Sequence, residues 1–267
     1  MRAKKSLGQN FLISEKIARD IVRAANVTRD DIILEVGPGK GILTEELAKK
    51  AGKVIAVEKD RRLAEFLREK FSGFKNLDVV CADILKFNPD DYGLKKNGYK
   101  IVANIPYYIT SRFLREFLGG RLQPSKMVLM IQKEVAERIV ARDKKASILS
   151  VSVRAFGDPK ILRTVPANYF SPKPKVNSAI LIIDNISKLF FESSPPIEEN
   201  VFFEILRKGF SGKRKMLKNN LPEFTEEDLV KCKISPKARA ENLSLENWRC
   251  LTSLGACLKL KSKIGPK

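Results

Sequence analysis

The run Asn104-Ile105-Pro106-Tyr107 combines an amide, a proline and an aromatic ring directly after a short apolar segment. The Asn104 oxygen and the Ile105 carbonyl could accept both hydrogens of an exocyclic amino group, and Pro106 would stiffen the turn and expose that carbonyl. The Tyr107 ring could stack on a base taken out of a helix. The run therefore favours methyl transfer to a base amino group, which needs no strong base. Alone, such a tetrapeptide would more often be an ordinary turn.

A glycine-rich turn lies earlier in the chain, in the run Glu35-Val36-Gly37-Pro38-Gly39-Lys40-Gly41. Glycines allow a tight turn and let a ligand approach the backbone closely. Glu58 follows roughly 20 residues later, at the end of an apolar segment, where a carboxylate can accept hydrogen bonds from both ribose hydroxyls. Asp83 follows the next apolar segment and is suitably placed to bond an adenine amino group.

The spacing of these glycines distinguishes two kinds of nucleotide-binding enzyme. Dehydrogenases carry G-x-G-x-x-G, whereas this chain has G-x-G-x-G, with Glu35 two residues before the first glycine. That form is common in S-adenosylmethionine-dependent enzymes, whose ligand has no pyrophosphate. We therefore predict S-adenosyl-L-methionine as the cofactor. A nicotinamide-dependent dehydrogenase is a weaker alternative, and the turn alone would be compatible with simple packing of a helix on a strand.

Alternating strand-like and helical segments must position these residues. Strand-like runs at 32–36, 54–57, 77–81, 101–103 and 127–131 alternate with helical periodicity, and a late pair at 161–165 and 179–183 predicts a hairpin-like return. Ser14 is expected to cap the first helix. The pattern predicts an α/β, Rossmann-like domain with a mostly parallel seven-stranded sheet. Because ligands of such sheets lie at the carboxyl ends of the strands, the Asn104 run should border the cofactor.

The pattern changes after Asp184. The run Ser193-Ser194-Pro195-Pro196 is typical of a linker, and beyond it only helical periodicity remains, as in Phe202 and Leu206. We therefore predict two domains. Residues 1–189 would form the catalytic domain that binds S-adenosylmethionine, and residues 190–267 would form a small all-α domain that binds rRNA or the ribosome.

The composition restricts the class of protein. A formal net charge of +20 favours a polyanionic partner such as nucleic acid, although a lysine-rich surface can also serve solubility or heat tolerance.

No apolar run approaches the ~20 residues that cross a bilayer, and no signal peptide is recognisable, so a cytoplasmic protein without membrane contact is expected. The chain has no histidine, and its four cysteines lack C-x-x-C spacing. Neither a structural metal site nor a disulfide framework is expected.

Several runs together resemble the ribosomal RNA adenine dimethyltransferases of the small subunit, over nearly the whole chain. Besides the glycine turn and the Asn104 run, the matching segments are Ser6-Leu7-Gly8-Gln9-Asn10-Phe11-Leu12, Gln132-Lys133-Glu134-Val135-Ala136, Phe170-Ser171-Pro172-Lys173-Pro174-Lys175-Val176-Asn177-Ser178-Ala179, Lys213-Arg214-Lys215 and Arg239-Ala240-Glu241-Asn242-Leu243-Ser244. Tyr108 is a mild departure, since many members have asparagine at that position.

The resemblance implies a substrate and a set of site residues. The implied reaction places two methyl groups on N6 of each of two adjacent adenosines, in a hairpin loop near the 3′ end of small-subunit rRNA. The target base would lie between Tyr107 and Phe170, although from its residue type alone Phe170 would be a core aromatic. The implied partner is rRNA in a partly assembled 30S-type subunit, and the protein would be a monomer. The implied cofactor contacts are Asn10, Leu12, Gly37, Gly39, Glu58, Asp83 and Asn104.

Basic residues near the predicted base pocket and in the tail are candidates for RNA contacts. Runs of charge are usually solvated faces, but phosphate contacts would position RNA without reading its sequence. The candidates are Arg112, Arg115, Lys213, Arg214, Lys215 and Lys218.

Two other functions remain open at the level of the sequence. A sister group that methylates large-subunit rRNA and confers macrolide resistance shares the Gln-Asn-Phe, glycine and Asn-x-Pro-Tyr motifs, but the segments from Phe170 and from Arg239 favour the small-subunit group. The protein could instead act mainly as a ribosome-assembly factor. Retention of Gly37, Glu58, Asn104 and Tyr107 argues against a purely non-catalytic form.

Overall fold

The computed structural model describes residues 8–141, 146–212 and 214–263, with side chains described as far as residue 256. Within these ranges the chain forms two compact units. The first comprises residues up to 137 together with 157–187, and the second comprises 138–156 together with 188–267.

The first unit is built on a seven-stranded sheet in the order β4-β3-β2-β5-β6-β9-β7. The pairs β2–β3, β3–β4, β2–β5 and β5–β6 are parallel, and β9 runs antiparallel to both β6 and β7. The strands are β1 (Phe11–Leu12), β2 (Ile32–Val36), β3 (Lys53–Glu58), β4 (Leu77–Cys81), β5 (Lys100–Asn104), β6 (Lys126–Gln132), β7 (Asp158–Val165), β8 (Phe170–Ser171) and β9 (Ser178–Asp184).

The helices are named in chain order across both units. They are α1 (Glu15–Ala24), α2 (Ile42–Ala48), α3 (Arg61–Lys70), α4 (Thr110–Gly119), α5 (Lys133–Val140), α6 (Ile148–Arg154), α7 (Leu189–Glu192), α8 (Glu199–Gly209), α9 (Leu217–Asn220), α10 (Glu226–Lys231) and α11 (Leu245–Lys263).

The central strands are buried on both faces, which explains their continuous apolar sequences. All of β9 except its last residue is buried, as are the interiors of β5 and β6. The edge strands are more exposed: β4 has no buried residue, and in β7 only Val165 is buried. One face of the sheet packs on α1 and α2 in a cluster that includes Ile21, Leu47 and Val102. The predicted α/β class and mostly parallel seven-stranded sheet are confirmed, including the late antiparallel pair.

The N-terminal arm is fixed to the first unit by a small second sheet. In this sheet β1 pairs antiparallel with β8, with Phe11 opposite Ser171 and Leu12 opposite Phe170. The arm then enters α1, whose first turn is capped as expected, because the Ser14 hydroxyl accepts a hydrogen bond from the Ile17 N–H. The pairing joins the arm to a distant part of the chain, since Phe11 and its partner Ser171 are 160 positions apart.

The second unit is helical and packs around aromatic side chains. Phe156, Phe191, Phe202 and Phe203 contact one another with ring centroids 5.1 to 6.2 Å apart. Trp248 of α11 is fully buried and stacks on Phe210. Residues 138–156, which the sequence analysis placed in the first domain, cluster with this unit because Phe156 joins its aromatic core.

A disulfide joins Cys232, at the end of α10, to Cys250 in α11, with the two Cα atoms 5.5 Å apart. The sequence predicts no disulfide framework, and the structure differs from that prediction at this pair. Spacing along the chain does not reveal the pair, because packing of α10 on α11 brings together two cysteines that are 18 residues apart. Cys81 is free and exposed. Nowhere in the described ranges is a helix long and apolar enough to cross a membrane.

Loss of the disulfide is expected to destabilise the helical unit, because an open chain has more freedom in the unfolded state. Cys232→Ala with Cys250→Ala, or reduction of the wild type, should lower the free energy of unfolding by about 2–4 kcal/mol. Thermal melting with and without a reductant measures this. Cys81→Ala is the control and should melt like the wild type. Identical melting of oxidised and reduced protein would contradict the role of the bridge.

Candidate active site

A cavity lies at the carboxyl ends of the parallel strands of the first unit. Its wall includes Glu35 near the end of β2, Glu58 at the end of β3, Asp83 just after β4 and Asn104 at the end of β5. The parallel register aligns these ends, since Val36 pairs with Val57 and with Ala103. The other predicted cofactor contacts line the same cavity: Asn10, Leu12, Gly37 and Gly39.

The glycine turn is held against the sheet and against the N-terminal arm. The Gly37 N–H donates to the Val57 carbonyl at 3.0 Å. Gly39 has a φ of +61°, and a Cβ at this position would lie 2.8 Å from Cδ1 of Phe11. The turn therefore requires glycine for two reasons, its left-handed backbone and its contact with the Phe11 ring.

Glu58 is almost fully buried, and each of its oxygens already accepts one backbone hydrogen bond. Oε2 accepts from the Gly39 N–H at 3.2 Å, and Oε1 accepts from the Asp60 N–H at 2.9 Å. Burial raises the pKa of Glu58 above its usual value, and these hydrogen bonds oppose that shift. Each carboxylate oxygen keeps a further lone pair, so Glu58 can still accept bonds from two ribose hydroxyls.

Asp83 has an ion-pair partner that the sequence analysis did not identify. Its Oδ1 accepts from the Leu85 N–H at 3.1 Å, and its Oδ2 lies 2.8 Å from Nζ of Lys59. The hydrogen bond from Lys59 lowers the pKa of Asp83, so the carboxylate stays charged. It therefore remains an acceptor for an adenine amino group.

Glu35 is a site residue that the sequence analysis noted only as part of the motif. It is 1% exposed, and neither of its oxygens has a hydrogen-bond partner among the described residues. Burial raises the pKa of Glu35 to about 8. The Thr44 hydroxyl opposes this shift although it is not within hydrogen-bond geometry of either oxygen, and the charge of Glu58 adds to it. A buried carboxyl group without a donor in the wall of a cavity is a place for a donor carried by a ligand.

Asn104 is oriented by the N-terminal arm. Its Nδ2 donates to the Asn10 carbonyl at 3.2 Å, and Nδ2 of Asn10 in turn donates to the Gly8 carbonyl at 3.3 Å. This arrangement engages the amide nitrogen of Asn104 and leaves Oδ1 as its acceptor. Ser6 and Leu7, which belong to the same predicted motif, lie outside the described residues.

Tyr107 lies at the cavity beside Ile105 and Pro106. Its hydroxyl is 2.8 Å from the Ser178 hydroxyl at the start of β9. Burial raises the pKa of Tyr107, so the phenol is neutral at physiological pH. The hydrogen bond fixes one end of the ring, which leaves a rigid aromatic surface in the wall of the cavity.

Phe170 does not join the other predicted residues at the cavity. Its ring is 3% exposed and belongs to the hydrophobic core, where its strand β8 pairs with β1. The placement of the target base between Tyr107 and Phe170 stays a prediction. In this conformation Phe170 is the core aromatic that its residue type alone suggests.

The predicted RNA-binding residues are mostly exposed. Arg112 and Arg115 lie on the exposed face of α4, and Arg214 and Lys215 are exposed in the helical unit. Lys218 pairs with Glu226 at 2.7 Å, which partly neutralises its charge. Lys213 lies outside the described residues.

Comparison with known proteins decides between a methyltransferase and a dehydrogenase. A model of the family described as ribosomal RNA adenine dimethylase matches residues 1–254. The chain belongs to this family. Its membership confirms the identification made from the sequence motifs, the methyltransferase class and S-adenosylmethionine as the cofactor, and it removes the dehydrogenase alternative.

The relatives and solved structures agree with the family. Proteins named ribosomal RNA small subunit methyltransferase A are 42% identical in Dehalococcoides mccartyi, covering 96% of this chain and 90% of the relative, and 40% identical in Caldanaerobacter subterraneus, covering 95% and 97%. A dimethyladenosine transferase from Plasmodium falciparum has a TM-score of 0.77 at 26% identity, covering 93% of this chain and 98% of that one. The 23S rRNA methyltransferase ErmE has a TM-score of 0.73 at 28% identity, covering 91% and 98%.

The cavity fits the cofactor of this family. Glu58 can hold the ribose and Asp83 the adenine amino group, while the glycine turn leaves room for the ligand beside its backbone. The unpartnered carboxyl group of Glu35 provides an acceptor at the same wall. When bound, S-adenosylmethionine supplies a methyl group that is activated by its attachment to a sulfonium.

Replacement of Gly39 is expected to weaken cofactor binding. Gly39→Ala would place a Cβ against Phe11, and we expect at least a roughly tenfold higher Kd for S-adenosylhomocysteine by calorimetry, because a loss of about 1.4 kcal/mol suffices for tenfold. Gly93→Ala is the matched control: its φ is also positive, at +68°, but nothing lies within 4 Å of its Cβ. It should bind normally. Equal Kd values for all three proteins would show that the Phe11 contact is unimportant.

Protonation of Glu35 should make stability depend on pH. The pKa of Glu35 is about 8 in the folded protein and near 4.5 when unfolded, so the folded state binds the extra proton. Without cofactor, the free energy of unfolding should therefore fall as pH rises from about 4.5 to 8. Glu35→Gln removes this pH dependence, so its stability relative to the wild type should increase by up to about 4 kcal/mol across that range. Denaturant unfolding at pH 5 and pH 8.5 measures it, and a constant difference would contradict the assignment.

Proposed function

We propose that this protein transfers methyl groups from S-adenosylmethionine to N6 of two adjacent adenosines near the 3′ end of small-subunit rRNA, giving N6,N6-dimethyladenosines. The observation that carries the proposal is the orientation of Asn104 at the end of β5. Its amide nitrogen is engaged by the Asn10 carbonyl, so its oxygen is the group that can accept a hydrogen from an amino nitrogen. The family and the names of the relatives supply the substrate class.

The chemistry follows from the delocalised lone pair of N6, which makes the amino group a weak nucleophile. Hydrogen bonds from N6 to Oδ1 of Asn104 and to the Ile105 carbonyl would favour a tetrahedral nitrogen whose lone pair is directed at the methyl carbon. The cofactor would supply the methyl group from its sulfonium, which keeps the electrons of the broken carbon–sulfur bond, while Asn104 and the Ile105 carbonyl would orient N6 and the proton released from N6 would pass to solvent. No side-chain base is needed, which agrees with the absence of histidine from the chain.

The remaining residues would hold the substrate. Tyr107 offers a fixed ring on which the extruded adenine can stack. The exposed cations Arg112, Arg115, Arg214 and Lys215 can contact phosphates. We further propose that residues 190–267 bind the rRNA, within a partly assembled 30S-type subunit, and that the protein acts as a monomer in subunit biogenesis.

Mass mapping of rRNA tests the substrate directly. Small subunits purified from a strain that lacks the modification should gain four methyl groups on two adjacent adenosines when incubated with the protein and labelled cofactor. Large subunits incubated in parallel should stay unlabelled, and label that appears only in their RNA would support the macrolide-resistance type instead.

Asn104→Ala tests the mechanism and separates it from a role in assembly. Loss of the amide oxygen should reduce methylation at least about 100-fold, by analogy with the removal of one hydrogen-bonding group from a preorganised site, while RNA binding is kept. Asn88→Ala, which changes an asparagine outside the cavity, is the control and should remain active. If the Asn104 variant fully restores subunit maturation in cells, assembly is a separable function. A variant that methylates normally would refute the proposed role of Asn104.

A further inference from the structure

Two consecutive tyrosines at the cavity have opposite environments. Tyr107 is half-buried and its hydroxyl contacts Ser178, whereas Tyr108 is 60% exposed. Both line the cavity, and both belong to the short 3₁₀ turn Tyr107–Ile109. Successive side chains of a 3₁₀ turn point about 120° apart. The two rings therefore present separate surfaces to whatever occupies the mouth of the cavity.

The exposed ring of Tyr108 is supported on one side by the N-terminal arm. A Cβ added to Gly8 would lie 3.2 Å from Cδ1 of Tyr108, so the ring lies against the Gly8 backbone. The Gly8 carbonyl is joined through Asn10 to Asn104 by two hydrogen bonds. A ring supported in this way loses less rotational freedom when a planar ligand stacks on it.

A cation lines the same cavity as this ring, since Lys59 and Tyr108 are both in its wall. Nζ of Lys59 is held 2.8 Å from Oδ2 of Asp83, and the Lys59 side chain is half exposed. The hydrogen bond to Asp83 raises the pKa of Lys59, so the ammonium stays charged. The ion pair with Asp83 partly neutralises this charge and fixes its position in the wall that also holds the exposed Tyr108 ring.

We propose that Tyr108 and Lys59 form a binding site for the nucleotide adjacent to the target adenosine, with its base stacked on Tyr108 and its phosphate near Lys59. The proposal rests on the proposed function, because it takes the substrate to be RNA. An aromatic ring with a neighbouring cation is the combination that holds unpaired nucleotides without reading their sequence. Two diverging rings suit two neighbouring bases that are unstacked from each other. Glu58 and Asp83 can hold the ribose and the amino group of the cofactor, and the proposal assigns the exposed Tyr108 ring to the RNA.

The site depends on the aromatic ring at position 108, because a side chain without a ring offers no surface on which a base can stack. Residue 108 would then set how tightly the flanking nucleotide is held, while Tyr107 and Asn104 serve the reacting base.

The decisive variant is Tyr108→Leu, compared with Tyr108→Phe and with Tyr92→Leu. Tyr92 is also partly exposed and lies outside this cavity, so it controls for the loss of a tyrosine. Steady-state methylation of small subunits gives KM and kcat. A short RNA hairpin with 2-aminopurine next to the target adenosine, bound in the presence of S-adenosylhomocysteine, reports stacking by its fluorescence. Calorimetry with S-adenosylhomocysteine reports the cofactor site.

Stacking of one base contributes about 1–3 kcal/mol, so Tyr108→Leu should raise KM about 5- to 150-fold, with kcat changed less than KM, and should abolish the 2-aminopurine response. Tyr108→Phe should retain both, and Tyr92→Leu should resemble the wild type. Lys59→Met should reduce the slope of the logarithm of the RNA-binding constant against the logarithm of the salt concentration by about one. The Kd for S-adenosylhomocysteine should be unchanged in Tyr108→Leu.

Two results would overturn the site. One is an unchanged KM together with an unchanged 2-aminopurine response in Tyr108→Leu. The other is a weakened affinity for S-adenosylhomocysteine with RNA binding intact, which would assign the ring to the cofactor. Failure of the proposed function is distinguishable: a wild type that methylates no small-subunit RNA refutes that function, while the fluorescence of the bound hairpin still decides whether Tyr108 stacks on a nucleotide.

Discussion

Parallel pairing of β2, β3, β4 and β5 is the constraint on which the site depends. Strands in parallel register end at the same edge, so residues from four distant segments reach one cavity without long loops. Glu58 pairs with Cys81, two residues before Asp83, and Val36 pairs with Ala103, one residue before Asn104. Burial of the central strands on both faces keeps this register, since a slip would expose apolar side chains.

The N-terminal arm connects parts of the site that the sheet does not join. Phe11 packs on the glycine turn, and the Asn10 carbonyl orients Asn104. Strand β1 pairs with β8, which contains Phe170. The cofactor turn, the amide that would face the reacting nitrogen and the segment of Phe170 therefore share one short stretch of chain. A displacement of the arm would disturb all three together.

The carboxyl groups of the cavity differ in protonation state, because their surroundings differ. Asp83 is kept charged by Lys59, whereas burial raises the pKa of Glu35 to about 8. Glu58 lies between these cases, because backbone N–H groups, including those of Asp60 and Gly39, oppose the effect of burial. The site therefore has a neutral acid and a charged one within the same wall, and a bound ligand with hydrogen-bond donors would satisfy both.

The sequence by itself determined the α/β class and the seven strands of the main sheet, and it predicted Glu58, Asp83 and the Asn104 run as site residues, because period, spacing and residue type are local properties. Only the tertiary structure decided which groups touch: the Lys59–Asp83 pair, the Asn104–Asn10 hydrogen bond and the Cys232–Cys250 bridge join residues far apart in the chain. It also placed Phe170 in the core and residues 138–156 with the helical unit. Burial and proximity arise from packing between elements, and no local pattern of residues specifies them.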